Sequence, residues 1–389
     1  MNLTRRTIAG AGFAAVLLTG AVATTVPAQQ TIKIGVIQPL TGAFAASGTY
    51  VANGARIAAD EINAQGGVLG HRIELIVEDN KSNPTEAAAV AEKLIVRDKV
   101  PVLMGAWGSS LTLAAMPKLV EYHVPMLVET SSADKITTTG NPFVFRISPP
   151  SSVEATGFAK LIDQLKIRKA DFLVVNNDWG LGTADQFGKM FKAHNITVGL
   201  VETMAQNAQD MSAQLSKLKA SDADTLIITT AVEQLTLIFK QAAALGLKRR
   251  VITTGGSQEP DQLIEQAGAA ANGSSHIAFF APWNPELSAD PARARSFIAE
   301  WKKRGYAFAG LTESFRGYDG IRTIAAAIEK AGRPDPEAIR AAFWNIELTG
   351  LGGRIKFGKA GPAGRESGQS VCNVYLVRIE NGRVIVPKA

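Results

Sequence analysis

Short apolar runs alternate with stretches of helical periodicity along most of this chain, and this alternation limits the fold more than any other feature. Buried strands are predicted for the apolar runs at 31–37, 71–77, 101–104 and 124–128. The segments between them predict helices at 50–64, 85–97 and from Ser110 to Tyr122. Strands separated by helices join into a parallel sheet through right-handed crossovers, so the first part of the chain predicts an α/β unit.

The alternation stops at 139–150, a short apolar segment bracketed by prolines, and then resumes. The second run predicts strands at 171–176, 196–202, 225–229 and 251–254, with helices at 152–165, 184–194, 211–219 and 233–245. A proline-bracketed segment between two such runs is typical of a passage between domains. We therefore predict an α/β fold of two lobes, each a parallel sheet flanked by helices, joined by a multi-strand hinge.

The last third of the chain is expected to return to both lobes. Residues 276–283 predict a second crossing, helices follow at 291–304, 314–331 and 336–345, and strands at 353–357, 371–379 and 384–386. The helices have no matching strands, so we expect them to complete the first lobe. The expected division is 29–146 plus 280–350 for lobe one, and 147–279 plus 351–389 for lobe two.

The N-terminus predicts a targeting segment. Arg5 and Arg6 precede a short run of small and apolar residues at 9–23, and Val26 and Ala28 suit a cleavage site after Ala28. The run is short for a membrane span, and no cysteine follows it for lipidation. We expect residues 1–28 to be a signal peptide that exports the protein to the periplasm, by the Sec or the twin-arginine route.

Several classes of function are excluded. The net charge of +6 is spread along the chain, which disfavours a nucleic-acid surface. The single cysteine, Cys372, excludes an intramolecular disulfide and disfavours a cysteine zinc site. The four histidines are isolated, no serine lies in GxSxG, and a glycine loop ends in Ala360 where a phosphate loop needs a hydroxyl. We therefore predict a protein that is not an enzyme and has no metal or cofactor.

Small polar and aromatic residues follow the predicted strands, at the sheet edge where ligands bind in α/β proteins. The ligand-binding candidates are Phe44, Ser47, Trp107, Ser109, Ser110, Ser131 and Ser132 in lobe one, and Asp178, Trp179, Ala231, Gly255 and Gly256 in lobe two. Serine hydroxyls and the amide groups of a helix start suit a carboxylate. The alternatives are that the serines are only caps and turns, and that the tryptophans belong to the core.

The chain resembles the leucine/isoleucine/valine-binding group of type I periplasmic solute-binding proteins, the receptors of ABC importers. The resemblance covers nearly all of the chain after the targeting segment and lies in IKIGVIQPLTG (32–42), GARIAADEINAQGG (54–67), NPFVFR (141–146), NDWG (177–180) and GYDG (317–320). It implies that Ser109, Ser110, Ser131 and Ser132 hold the α-carboxylate of a ligand. It also implies that Trp179 replaces a tyrosine that packs on the ligand, and that Ser47 and Ala231 lie where aromatic contacts can occur.

One departure from the family leaves the ligand open. Amino-acid binders of this group hold the ammonium group with an acidic side chain near the position of Gly255. Asp178, Glu129 or Glu259 could replace that acid, in which case the ligand is a hydrophobic or branched-chain amino acid. Otherwise the ligand is a carboxylate without an amine, such as an aromatic or keto acid, that stacks on Trp107 and Trp179.

The expected function is capture of a small carboxylate by lobe closure and its delivery to an ABC permease in the inner membrane. We expect a monomer that has no nucleic-acid partner. The alternative is a periplasmic sensor subunit of the same fold that reports the ligand to a regulator.

Overall fold

Two seven-stranded sheets form the centre of the structure, which is a computed structural model that describes residues 31–386. The expected signal peptide at 1–28 lies outside the described residues. Within the described part, no helix combines the length and the apolar character that crossing a bilayer requires. Each sheet has a core of parallel strands connected through helices, so the predicted two-lobed α/β architecture is confirmed.

The first sheet is built mainly from the part of the chain before the first crossing. Its elements are β1 (Thr31–Gln38), α1 (Ala45–Ala64), β2 (Arg72–Asp79), α2 (Pro84–Val96), β3 (Leu103–Met104), α3 (Ser109–Tyr122), β4 (Met126–Val128), α4 (Lys135–Thr138) and β5 (Val144–Arg146). The strands lie in the order β2-β1-β3-β4-β5, and every pair is parallel. The direction of strand addition reverses between β1 and β3, which opens a crevice at the carboxyl edge of the sheet.

The second sheet repeats this topology. Its elements are α5 (Ser151–Ala159), α6 (Ile162–Leu165), β6 (Lys169–Val175), α7 (Asp178–Ala193), β7 (Thr197–Met204), α8 (Ser212–Ala220), β8 (Thr225–Thr229), α9 (Val232–Ala244), β9 (Arg250–Thr253), α10 (Pro260–Ala267) and β10 (Ser275–Ala278). The parallel order is β7-β6-β8-β9-β10, with the reversal between β6 and β8. A second crevice therefore opens at the carboxyl edge of lobe two.

The chain then returns to both lobes. The remaining elements are α11 (Pro291–Lys303), α12 (Leu311–Ala331), α13 (Pro336–Phe343), β11 (Leu348–Gly350), β12 (Gly353–Ile355), β13 (Gly358–Ala360), β14 (Ser367–Gln369), β15 (Tyr375–Glu380) and β16 (Arg383–Ile385). Helix α12 packs along α1, and Phe343 of α13 stacks on Phe145 of β5 with ring centroids 4.6 Å apart. These helices therefore pack on elements of the first sheet and its flanking helices.

The tail of the chain is shared between the lobes, which corrects the assignment of all of 351–389 to lobe two. Strands β13 and β14 extend the first sheet beside β5, whereas β15 and β16 extend the second sheet beside β10. Gly368 of β14 pairs with Phe145, and a Cβ atom at this glycine would lie 2.3 Å from Phe145 Cδ1. The polar, glycine-rich sequence of β13 and β14 has no apolar run, so it gave no signal of a strand in lobe one.

Two helix starts differ from the expected ones. Helix α7 begins at Asp178 and not after the loop at 177–182, because the Asn177 side chain accepts hydrogen bonds from the N–H groups of Trp179 and Gly180. The predicted helix at 152–165 is divided into α5 and α6. The early start of α7 places Trp179 in the first helical turn, at the edge of the interlobe cleft.

Two glycines let the 20-residue helix α1 touch the 21-residue helix α12 backbone to backbone. A Cβ atom added at Gly54 would lie 1.8 Å from the Ser314 carbonyl oxygen, and one added at Gly317 would lie 1.9 Å from that of Val51. Such distances leave no room for any side chain. This contact therefore sets the position of α12, whose first turns reach the interlobe cleft.

The variant Gly54→Ala should lower the free energy of unfolding by about 3 kcal/mol, because the added methyl group forces α1 and α12 apart. Gly182→Ala in α7 is the matched control, since a Cβ atom there meets nothing within 4 Å. This control should raise the free energy of unfolding by about 0.5–1 kcal/mol through helix propensity. Urea denaturation measures both values, and a similar effect of the two substitutions would contradict the close contact.

Candidate functional site

The carboxyl edges of the two sheets face each other and enclose a small cavity. The space in it that is open to a water-sized molecule is only about 10 Å³, and its lining consists of Trp107, Gly108, Ser109, Thr130, Ser131, Ser132, Trp179, Gly255 and Ser257. The structure thus brings together candidates from both predicted lobes: Trp107, Ser109, Ser131 and Ser132 from lobe one, and Trp179 and Gly255 from lobe two. Their role in ligand binding stays a prediction.

Two serine loops form the lobe-one wall of the cavity. The Ser131 hydroxyl donates to the Trp107 carbonyl oxygen at 2.7 Å and also lies 2.7 Å from the Thr112 hydroxyl. The Ser109 hydroxyl accepts a hydrogen bond from the Ala133 N–H at 3.1 Å. These bonds tie the loop after β3 to the loop after β4, so part of the serines' hydrogen-bonding capacity has a structural use. The first amide groups of α3, which starts at Ser109, have no acceptor within the helix.

Two tryptophan rings also line the cavity. The Trp107 ring lies 4.6 Å from the Phe44 ring and meets the Trp179 ring edge to face, with centroids 5.8 Å apart and planes at 83°. The Trp107 backbone has a φ of 66°, a left-handed conformation that is rare for a bulky residue. Its indole N–H donates to Glu313 at 3.4 Å. Trp107 therefore separates the cavity from a group of buried carboxylates.

Gly255 is required by the tryptophan that packs on it. A Cβ atom at this position would lie 2.5 Å from Trp179 Cζ2, and the backbone φ of 89° also favours glycine. The Gly255 N–H donates to Glu154 at 2.6 Å, and its carbonyl oxygen accepts from Arg316 at 3.2 Å. No acidic side chain could occupy this position while Trp179 lies there.

Two glutamates of lobe two reach across to the start of α1. Glu259 accepts a hydrogen bond from the Ser47 hydroxyl at 3.1 Å, and Glu233 accepts one from the Ala46 N–H at 3.2 Å. The second carboxylate oxygen of each is buried and has no hydrogen-bond partner among the described residues. Burial raises the pKa of Glu259 well above its usual range, and the charges of Glu313 and Glu233 raise it further.

A third glutamate and an arginine approach this pair from lobe one. The Arg316 Nε atom lies 3.3 Å from Glu313, and both side chains are buried. Burial raises the pKa of Glu313, although the charge of Arg316 opposes the shift, and burial also raises the pKa of Glu233. Arg316 is paired with Glu313 and its charge also acts on Glu259, whereas Glu233 has no such compensation, so the three carboxyl groups favour a bound cation or a bound proton.

The three acids considered as replacements for the missing one have different positions. Glu259 lies in the buried group just described. Glu129 is buried against Gln38, whose amide donates to it at 2.8 Å, and burial raises its pKa to about 7. Asp178 bonds across the cleft to Ser110 and pairs with Lys135. None of the three lines the cavity.

The lobes are in contact in this structure. The Ser110 hydroxyl donates to the Asp178 carboxylate at 2.6 Å, and the Tyr50 hydroxyl donates to Gln262 at 3.2 Å. Burial alone would raise the pKa of Asp178, but the Lys135 ammonium and the Ser110 hydroxyl lower it below its usual range. These bonds stabilise the closed arrangement, so Ser110 is a contact between lobes and does not line the cavity.

The other candidates also lie outside the lining. Phe44 supports Trp107 from behind, and Ser47 is engaged by Glu259. Ala231 is buried at the start of α9, and Gly256 lies against Arg316 and Phe279, where a Cβ atom would be 2.7 Å from each. Among residues 31–386, no cluster of histidine, cysteine or acidic side chains is arranged to hold a metal ion.

The sequence analysis missed several residues at the lobe interface, namely Glu154, Glu233, Glu313 and Arg316. Charged residues on predicted helices usually face solvent, so their spacing gave no signal of burial. The one available clue was the expectation that an acid is needed near Gly255. That expectation led to Glu259 as a possible replacement but could not place it beside Glu233 and Glu313.

Comparison with known proteins gives a consistent set of similarities. The family described as periplasmic binding protein matches residues 31–383. A Leu/Ile/Val-binding protein of Rhizobium johnstonii is 28% identical over 361 residues, which cover 91% of this chain and 93% of that protein. A leucine-binding protein of Thermotoga maritima has a TM-score of 0.80 at 28% identity, covering 92% and 98% of the two chains. An ABC-transporter solute-binding protein of Rhodopseudomonas palustris in complex with 4-hydroxybenzoate has a TM-score of 0.79 at 27% identity, covering 92% and 96%.

The variant Asp178→Asn should shift the ligand-free protein towards an open form, because it removes the charge that holds Ser110 and Lys135 across the cleft. Asp178 is partly exposed, so we expect a loss of about 1 kcal/mol, or a fivefold lower ratio of closed to open molecules. Distances between spin labels on the two lobes measure this ratio. Asp185→Asn is the control and should leave the ratio unchanged, because the partners of Asp185, Lys189 and Gln186, lie on the same helix.

Proposed function

The chain belongs to the periplasmic binding protein family, and from that premise we propose that it captures a small carboxylate without an amine, with an apolar or aromatic body, for an ABC importer. The observation that carries this proposal is the composition of the cavity wall. The lining combines serine and threonine side chains with two tryptophan rings, and none of the lining residues is ionisable. A ligand ammonium group would therefore meet no anion in the cavity itself.

The serine wall suits the carboxylate end of such a ligand. Free amide groups at the start of α3 and the hydroxyls of Ser109 and Ser132, which accept hydrogen bonds from protein groups, offer donors to the cavity. The indole rings of Trp107 and Trp179 offer the apolar contact. The two rings touch in this structure, so a ligand between them would replace part of this contact.

The ligands named for two relatives are all carboxylates, but they differ in the apolar part, which is aliphatic in one case and aromatic in the other. The Rhizobium johnstonii relative is named for leucine, isoleucine and valine, and the Rhodopseudomonas palustris structure contains 4-hydroxybenzoate. These two proteins are 28% and 27% identical to the chain, so sequence identity does not favour one kind of ligand over the other. The uncharged cavity wall favours the acid without an amine.

The cellular role follows from the family. Its members are solute-binding proteins, and we infer export through the segment at 1–28, action as a monomer, and delivery of the ligand to a permease in the inner membrane. Lobe one of this receptor comprises the first sheet with α1–α4 and α11–α13, and lobe two comprises the second sheet with α5–α10.

Calorimetric titration with benzoate, 4-hydroxybenzoate, leucine and isoleucine tests the ligand class. We expect a benzoate to bind at least tenfold more tightly than either amino acid. Trp179→Leu should weaken benzoate binding by about 1–2 kcal/mol, because it removes an aromatic contact. Trp344→Leu is the control, since Trp344 packs on Phe145 inside lobe one. Tighter binding of leucine than of either benzoate would overturn the preference for an acid without an amine.

A second candidate, an amino acid, is favoured by the buried carboxyl groups behind Trp107. The Trp107 indole N–H already points at Glu313, and Glu259 and Glu233 have carboxylate oxygens without partners. If Trp107 turns aside, an ammonium group could reach these acids. Burial raises the pKa values of these three acids, so protons would compete with an ammonium group for them.

The second candidate predicts proton release when an amino acid binds, because an ammonium group favours the ionised carboxylates. Its affinity should rise with pH from about 4.5 through the raised pKa values, and Glu259→Gln should reduce both effects. Calorimetry of leucine binding in two buffers with different ionisation enthalpies counts the protons released. Leucine binding without proton release would exclude the carboxyl group as the ammonium site, and benzoate serves as the ligand without an ammonium group.

A further inference from the structure

One buried cation lies directly behind the serine wall and has no acidic partner. Arg146, the last residue of β5, is 0% exposed. No carboxylate oxygen of the described residues lies within ion-pair distance of its guanidinium, and Asp134 acts on it only through its longer-range charge. Burial lowers the pKa of Arg146 to about 9, with Asp134 opposing the shift, so the side chain is charged at pH 7.

The guanidinium is satisfied entirely by neutral oxygens. It donates to the carbonyl oxygens of Ser131 at 3.2 Å and Ala133 at 2.8 Å, to the Thr137 hydroxyl at 2.7 Å, and to the Gln369 side chain at 2.7 Å. Hydrogen bonds alone therefore hold a full positive charge inside lobe one. A buried charge without a counter-charge is costly, which raises the question of what compensates it.

The hydrogen bonds orient the peptide groups of the loop after β4. The peptide between Ser131 and Ser132 is trans, so the Ser132 N–H points away from the guanidinium that binds the Ser131 carbonyl oxygen. This N–H has no acceptor among the described residues, and Ser132 lines the cavity. The Ser131 carbonyl oxygen also accepts from the Ser148 hydroxyl at 3.0 Å, which fixes the same orientation.

We propose that Arg146 determines the charge selectivity of the cleft: its buried guanidinium orients and polarises the loop at 130–133, so that the cavity side of the loop favours a carboxylate over an uncharged group. The inference rests on the proposed function, because the anion that compensates Arg146 is the bound ligand. Arg146 does not touch the ligand, and it acts as a positioning residue through Ser131 and Ser132.

The test compares acids with their uncharged amides. Dissociation constants of benzoate and benzamide, and of leucine and leucinamide, are measured by calorimetry for the wild type and for Arg146→Gln. For the acid that the wild type binds, loss of the charge should raise the dissociation constant by about tenfold or more. The dissociation constant of the matching amide should change by less than about threefold. Equal weakening of acid and amide would mean that Arg146 only supports the loop, and it would overturn the inference.

Arg146→Lys provides the rescue, because it keeps the charge and loses the forked hydrogen bonds. It should bind both members of the pair more weakly while keeping most of the wild-type preference for the acid. A lysine variant with the same lost preference as Arg146→Gln would contradict a role for the charge.

A second variant covers the case in which Arg146→Gln does not fold. Asp134→Asn removes the nearby negative charge but keeps the oxygen that accepts from the Ser152 N–H at 3.1 Å. It should increase the preference for the acid two- to fivefold, and an unchanged preference would overturn the inference. A wild type that binds neither benzoate nor leucine would overturn the proposed function together with this inference, whereas binding without a shift in preference would overturn the inference alone.

Discussion

The packing of Trp179 on the backbone of Gly255 decides the character of the interlobe cleft. The ring fills the space that a side chain at position 255 would need, with 2.5 Å between its Cζ2 atom and the place of a Cβ atom. Asn177 fixes the position of Trp179 by capping the first turn of α7. The backbone of Gly255 is fixed by its hydrogen bonds to Glu154 and Arg316. A wall that could have carried an acid is therefore aromatic and uncharged.

Closure of the lobes also brings like charges together. Glu233 and Glu259 belong to lobe two and Glu313 belongs to lobe one, where Arg316 pairs with Glu313. Separating the lobes would return these carboxyl groups towards water, where they ionise freely. The closed arrangement is therefore least favourable at high pH, where the three carboxyl groups are ionised and repel one another.

Much of the fold could be predicted from the sequence because its strands are apolar and regularly spaced. The alternation of strands and helices, the pause at 139–150 and the serine loops all depend on local patterns. The errors occur where long-range contacts decide. Gly368 joins lobe one because Phe145 accepts a backbone that carries no side chain, and Glu313 is buried because the glycines of α1 and α12 bring its helix to the cleft.

The candidate site was predicted in part for the same reason. Serines after two parallel strands meet at one sheet edge, which topology alone dictates. The partners of Ser110 and Ser47, which are Asp178 and Glu259, come from the other lobe, and no spacing in the sequence encodes a contact that exists only on closure.

The charges around the cavity are arranged with opposite signs at its two ends. Arg146 lies behind the serine loop, and the group of Glu233, Glu259 and Glu313 lies beyond Trp107. Both sets are buried, so solvent and salt screen them weakly and their fields reach into the cavity. Under the proposed function, these fields would favour the ligand orientation in which the carboxylate lies at the loop next to Arg146 and away from the three glutamates. An uncharged analogue such as the amide does not interact with these charges in this way. The same arrangement would therefore determine both the orientation of a carboxylate and its preference over the amide.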